Sequence, residues 1–228
     1  NPDPKDAEYL HALHTELKQI FNIRATFLYG HSQGSYFSHY YAAAYPDEVD
    51  GYVAMASGVW SHPDFGEKGH RQAIVVQHGT QDPVVSYEAG VFAYQTLREA
   101  GFPMVRFRSL EGWNHWPTDK TSKVPHTAQQ LSWCEGMTTK DMGRLKACFE
   151  FLCTTQAKEY HDYAAVYTLA RHVTELEAAP GPLKKRAEKA MAAVEQLAKL
   201  HVKALKPADK FEKKPWVGHL PMFLRGVR

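Results

Sequence analysis

A five-residue segment, Gly30-His31-Ser32-Gln33-Gly34, constrains the fold of this chain more than any other. It follows the apolar, β-prone run Ala25-Thr26-Phe27-Leu28-Tyr29 and precedes residues 35–45, which read as a helix. A strand that passes into a helix through so short a link must turn sharply, which forces its central residue into a strained backbone conformation. The positions two residues to either side must then lack bulk, because strand and helix crowd together there, and both are glycine. The strain lifts the Ser32 hydroxyl clear of the sheet, and the helix points its positive end at the same place.

Apolar, β-branched runs recur downstream. Residues 52–56, 73–77 and 104–110 read as strands, which makes four parallel-strand candidates with residues 25–29. In open α/β sheets, ligand-facing chemistry gathers on the loops that leave the carboxyl ends of strands. The run Ala73-Ile74-Val75-Val76-Gln77 leads into His78-Gly79-Thr80-Gln81-Asp82-Pro83-Val84-Val85, whose acidic residue is Asp82. Residues 104–110 lead into Glu111-Gly112-Trp113-Asn114-His115-Trp116-Pro117. The chain has 13 histidines, so only position singles out His115. A serine hydroxyl becomes an effective nucleophile when a base takes its proton, and a third group must orient that base. Ser32, Asp82 and His115 offer nucleophile, acid and base in that chain order, separated by 50 and then 33 residues. Asp82-Pro83 alone is an ordinary turn former; the ordered trio carries the reading.

These segments resemble the α/β-hydrolase superfamily, of the serine esterase kind. The Ser32 segment and residues 78–85 are similar to the nucleophile elbow and acid loop of carboxylesterases, phospholipase-type esterases and dienelactone-hydrolase relatives. Gly112-Trp113-Asn114-His115-Trp116-Pro117 is similar to the histidine loop of polyhydroxyalkanoate-depolymerase-like and feruloyl-esterase-like members. The likeness covers about residues 5 to 118 and implies the C-terminal half of the fold. That family's sheet has about eight strands with the elbow after the fifth, so the first four strands are expected to be missing here. The loop that supplies a second oxyanion donor is expected to be missing with them.

The resemblance implies cleavage of carboxylic esters through an acyl-enzyme, with no cofactor and no metal. In that scheme the Gln33 amide, next after the serine, stabilises the oxyanion. Trp60, Trp113 and Trp116 are candidates for an acyl or aromatic wall, set against the packing role tryptophan usually has. His31 joins this oxyanion and substrate-binding group because it sits beside Ser32. Both it and His78 read more as braces for their loops than as reacting groups. The same triad serves acyl transfer and peptide cleavage, which differ only in what attacks the acyl-enzyme. A different class of function is a non-catalytic relative that binds a protein partner through its helical part.

Four parallel strands that begin at the elbow strand would leave a long apolar edge. The expected partner is therefore the N-terminal half of the same domain, on this chain or a separate one, and a first residue that is not methionine agrees with that. Before the elbow, Leu10, Leu13, Leu17 and Ile20 fall at helical spacing.

After residue 125 the strand signals stop. We assign residues 1–125 to the partial α/β-hydrolase domain, 126–206 to an α-helical extension and 207–228 to an irregular tail. Leu145, Cys148, Phe149 and Leu152 fit one helix face, and Val166, Leu169, Val173 and Leu176 fit another. Pro180-Gly181-Pro182 is a break. Beyond it, Met191, Val194, Leu197, Ala198, Val202 and Leu205 mark a third helix. At 228 residues with a net charge of +2, nothing argues for nucleic acid or an anionic membrane. No apolar run approaches the roughly 18 residues of a membrane helix. Cys134, Cys148 and Cys153 are odd in number and lack zinc-type spacing, and they read as small core residues. This usage leans toward a reducing compartment, and localisation stays open.

Overall fold

Asp3 begins the first helix. Its carboxylate accepts the Lys5 N–H at 2.9 Å, and Pro4 sits in the first turn, where a missing N–H breaks no helical bond. The computed structural model describes residues 3–60, 66–116, 126–154 and 162–204. In it this helix, α1, runs Pro4–Ile20. The inward stripe differs from the leucine pattern of the sequence. Ala7, Leu10, His14 and Leu17 turn inward, whereas Leu13 is exposed and Ile20 is 72% exposed. His14 tolerates burial because both ring nitrogens have partners: Nδ1 lies 3.1 Å from Glu48 Oε2 and Nε2 2.9 Å from Thr26 Oγ1.

The sheet has four strands, β1 (Phe27–His31), β2 (Gly51–Met55), β3 (Ala73–Gly79) and β4 (Val105–Leu110), all parallel and in spatial order β1-β2-β3-β4. The helix α2 (Gln33–Ala44) joins β1 to β2, and α3 (Tyr87–Glu99) joins β3 to β4. The register pairs His31 with Met55 and Met55 with Gln77, so the carboxyl ends of the strands gather on one side. β2 and β3 are buried along their whole lengths, as continuous apolar runs in a central parallel strand should be. β1 and β4, at the edges of the described sheet, are only partly covered. Strand bounds move by two residues at most from those read in the sequence. The largest change is at β1, whose pairing with β2 draws Gly30 and His31 into the ladder.

Tyr52, Ala54, Ile74 and Val76 from the sheet pack with Tyr41 of α2 and Leu97 of α3 in the principal core. Full burial of each large apolar side chain stabilises by about 1.5–3 kcal/mol. A further helix, α4 (His126–Thr138), packs across β1, β2 and β3. Cys134 is buried with its Sγ 3.9 Å from the Tyr52 carbonyl, and Trp133 is buried beneath the Arg106 guanidinium, 4.9 Å from its ring centroid. The first compact unit therefore runs to Lys140 and the second begins at Asp141. This division falls later than the boundary at residue 125 read from the sequence, because α4 belongs with the sheet.

The second unit holds α5 (Met142–Thr154), α6 (Tyr163–Glu175) and α7 (Gly181–Ala204). Leu145, Cys148, Phe149 and Leu152 form the buried face of α5, and Val166, Leu169 and Val173 that of α6, as their spacing predicts. Asp162 caps α6 by accepting the Ala165 N–H at 2.9 Å. Tyr167 of α6 donates to Glu195 Oε1 of α7 at 3.1 Å, and Arg186 of α7 pairs with Glu150 of α5. Val194 is buried, but Leu197 faces outward. The side chains of Val202 and Leu205 and the tail at 207–228 lie outside the described residues. Cys134 and Cys148 are buried and Cys153 is half-buried, all three as free thiols. Among the described residues, no helix is long and apolar enough to cross a membrane.

Candidate active site

Ser32 occupies the turn between β1 and α2 with φ 52° and ψ −120°, a conformation that L-residues avoid. Such strain costs on the order of 1–3 kcal/mol and persists only where the surroundings enforce it. Here the Ser32 N–H donates to the Met55 carbonyl at 2.9 Å, and the Ser32 carbonyl accepts from Ser35 at 2.9 Å and Tyr36 at 3.3 Å. Both sides of the turn are therefore pinned, one to β2 and one to α2. Gly30 is required by close approach, since a Cβ there would stand 2.3 Å from the Gly34 carbonyl oxygen. Gly34 is not, because a Cβ on it would meet nothing within 4 Å. The expectation that both glycines make room for the turn thus holds for Gly30 alone. Gln33 is the first residue of α2, so its amide is among the helix N–H groups without an intrahelical acceptor.

The acid and histidine loops are sewn together. Thr80 donates its N–H to Leu110 at 3.0 Å, Gln81 to the Trp113 carbonyl at 2.9 Å, and Gly112 to Thr80 Oγ1 at 2.9 Å. Gly79 permits this, because a Cβ there would stand 2.3 Å from the Trp113 carbonyl oxygen. Asp82 Oδ1 accepts the N–H groups of Val84 at 2.8 Å and Val85 at 2.9 Å, which leaves Oδ2 for His115 Nδ1 at 2.8 Å. The side chain of Asp82 is wholly buried. Burial pushes its carboxyl up, but the hydrogen bonds from Val85, His115 and Val84 and the nearby charge of His115 together hold it below the ordinary value. His115 is buried too. Because Nδ1 donates to a carboxylate, its neutral ring carries the proton there and leaves Nε2 as the basic nitrogen.

The Ser32 turn meets the His115 loop through His31. Its Nε2 donates to the His115 carbonyl at 2.7 Å, and the two rings lie 4.9 Å apart between centroids. The structure thus joins Asp82 to His115 directly and His115 to the Ser32 turn through His31, the neighbour of Ser32. Among the described residues, no hydrogen bond joins Ser32 Oγ to the His115 ring. Such contacts are commonly long without substrate and tighten when it binds.

The three tryptophans divide. Trp60 is 38% exposed and stacks on Tyr36 at 4.5 Å, one helical turn beyond Ser32. Trp116 is 57% exposed and meets the His115 ring edge-on at 5.0 Å. Trp113 instead packs against Met55, Ala56 and Leu110, so it supports the loop from below.

A family model of phospholipases and carboxylesterases matches residues 4–123, just over half of the chain, a stretch that includes Ser32, Asp82 and His115. The chain belongs to the phospholipase/carboxylesterase family of α/β-hydrolases.

Solved structures also resemble this family member. A point variant of SOBER1 from Arabidopsis thaliana is 25% identical, with a TM-score of 0.49 over 59% of this chain and 64% of that one. Acyl-protein thioesterase 2 from Zea mays is 18% identical, with a TM-score of 0.44 over 60% of this chain and 68% of that one. A monoacylglycerol lipase from Paleococcus ferrophilus is 14% identical, with a TM-score of 0.42 over 59% and 74%. The chain thus spans less than two thirds of the SOBER1 variant, 64% of its length. No curated protein matches it.

Two features of this candidate site carry no signal in the sequence. Ala56, at the end of β2, also has a positive φ of 56°, and its N–H donates to the Gln77 carbonyl at 3.0 Å. The next residue, Ser57, is buried and donates to Ser35 Oγ at 2.7 Å, tying the Trp60 loop to the first turn of α2. Neither alanine nor a serine pair carries a recognisable signal.

Proposed function

We propose that this protein hydrolyses carboxylic esters through Ser32, His115 and Asp82. His115 Nε2 takes the Ser32 proton as Oγ attacks the acyl carbonyl, and Asp82 holds the imidazole and stabilises its charged form. The Gln33 amide donates to the oxyanion. His115 then returns the proton to the departing alcohol, leaving an acyl-serine. Water attacks that ester with His115 as base, the acid departs, and Ser32 regains its proton. A segment pairing beside the open edge of β1 would supply the second oxyanion donor. The Trp60–Tyr36 stack is assigned as an apolar wall for the acyl or alcohol group.

The observation that carries the reading is the Asp82–His115 hydrogen bond of 2.8 Å, on loops tied to a serine held at φ 52°. A purely structural turn needs neither a strained serine nor an imidazole oriented by a buried carboxylate on a loop tied to it. Turnover of p-nitrophenyl acetate by the wild type and Ser32→Ala tests the proposal. The expected loss in Ser32→Ala is about 10³-fold or more in kcat. Equal rates would remove Ser32 from the mechanism.

A further inference from the structure

Asp82 sits in a turn that is anchored from a side the proposed mechanism leaves unused. His78, four residues before it on β3, is wholly buried. Its Nε2 donates to the Val85 carbonyl at 3.0 Å and stands 3.3 Å from Asp82 Oδ2. Both neighbours are acceptors, which assigns the proton of the neutral ring to Nε2. Nδ1 is buried without a hydrogen-bond partner. The helix α3 fills the space beside it, since a Cβ at Gly90 would stand 2.5 Å from that nitrogen. Tyr87 of the same helix meets the imidazole edge-on at 6.1 Å.

Burying an imidazole with one nitrogen unsatisfied is unfavourable, and an apolar side chain of similar bulk would avoid that cost. What the histidine adds is one N–H, delivered where the acid turn closes. Val84 and Val85 bind Oδ1 from within the turn, His115 binds Oδ2 from the loop after β4, and His78 restrains the Val85 carbonyl from β3.

We propose that His78 is a positioning residue whose Nε2–H locks the turn from Asp82 to Val85, so that Oδ2 stays aimed at His115 Nδ1. Its kinetic consequence rests on the esterase reading; its effect on the Asp82–His115 hydrogen bond does not. The test compares His78→Leu, which removes the donor but keeps bulk, with His78→Gln, whose amide can reach the Val85 carbonyl. Two readouts are used: kcat and KM for p-nitrophenyl acetate, and the low-field proton NMR resonance of His115 Nδ1–H.

In His78→Leu the resonance is expected to broaden away while kcat falls about 10- to 100-fold and KM stays within about threefold, the pattern of a displaced catalytic group. His78→Gln restores the resonance and most of kcat. Gly90→Ala keeps the imidazole but drives a methyl group against it, and it reproduces the leucine effect even where His78→Leu does not fold. A folded His78→Leu or Gly90→Ala protein that keeps both resonance and rate overturns the proposal. So does a glutamine variant no better than the leucine one. Failure of the esterase reading is a separate outcome: Ser32→Ala then turns over like the wild type, while the resonance still reports on His78.

Discussion

One backbone carbonyl separates the roles of Gly30 and Gly34, the two glycines that flank Ser32. A Cβ on Gly30 would stand 2.3 Å from the Gly34 carbonyl oxygen and 2.6 Å from Ser35 Cα, backbone atoms fixed by the helix, whereas a Cβ on Gly34 meets open space. Gly30→Ala must therefore push α2 away from β1 at Ser32, and overpacking of this kind costs about 1–3 kcal/mol. Gly34→Ala is expected to be neutral or to gain up to about 1 kcal/mol, because alanine has less freedom to lose on folding. Urea denaturation of the two variants checks this, and equal destabilisation would contradict it. The motif was legible in the sequence, but its division of labour was not. Gly-x-Ser-x-Gly spells both glycines alike, while the clash depends on how closely a helix lies over a strand. That Asp82 and His115 would lie near each other was legible for a different reason: each follows an apolar run, and chain order places them at neighbouring strand ends. The strain at Ala56 was invisible, since nothing in an alanine announces a positive φ.

At the scale of elements, α1 is fastened by one carboxylate. Glu48 accepts from the Tyr41 hydroxyl at 2.9 Å and lies 2.7 Å from His11 Nδ1 and 3.1 Å from His14 Nδ1. Burial pushes its carboxyl up, but hydrogen bonds from His14 and Tyr41 and the charges of both histidines outweigh this, so it titrates below its ordinary value of 4.5. A carboxyl depressed on folding contributes stability that is complete above its unfolded pKa and is lost as pH falls through the folded one. Protection of α1 amides from hydrogen exchange, corrected for intrinsic rates, is therefore expected to fall below about pH 4.5, ahead of β2 and β3. Glu48→Gln should weaken α1 at neutral pH and flatten that dependence; a variant with the wild-type pH response would contradict the clamp. Hydrophobic spacing located α1 but not its inward face, because the buried position is a histidine whose partners come from distant residues. The same limit hid the return of α4 to the sheet, where Cys134 and Trp133 pack on strands that end well before it in the chain.

At the scale of the molecule, Ser32, Asp82 and His115 all lie in the first compact unit, as does the stretch that matches the hydrolase family. The fold class was legible because central parallel strands are written as unbroken apolar runs and the later helices as apolar stripes. The surface left open beside Ser32 was not, since it depends on which aromatic faces stay accessible. Only the folded chain separates Trp60 and Trp116, left accessible, from Trp113, consumed in packing. The proposed activity requires that one serine in this molecule be activated by its surroundings. Incubation of the folded protein with a fluorophosphonate, followed by mass spectrometry of the intact chain and its peptides, reads that directly. A single phosphonyl adduct on Ser32 is expected, absent in Ser32→Ala and formed about 100-fold or more slowly in His115→Ala. A folded wild-type protein that takes no adduct, or one labelled equally after Ser32→Ala, would contradict it.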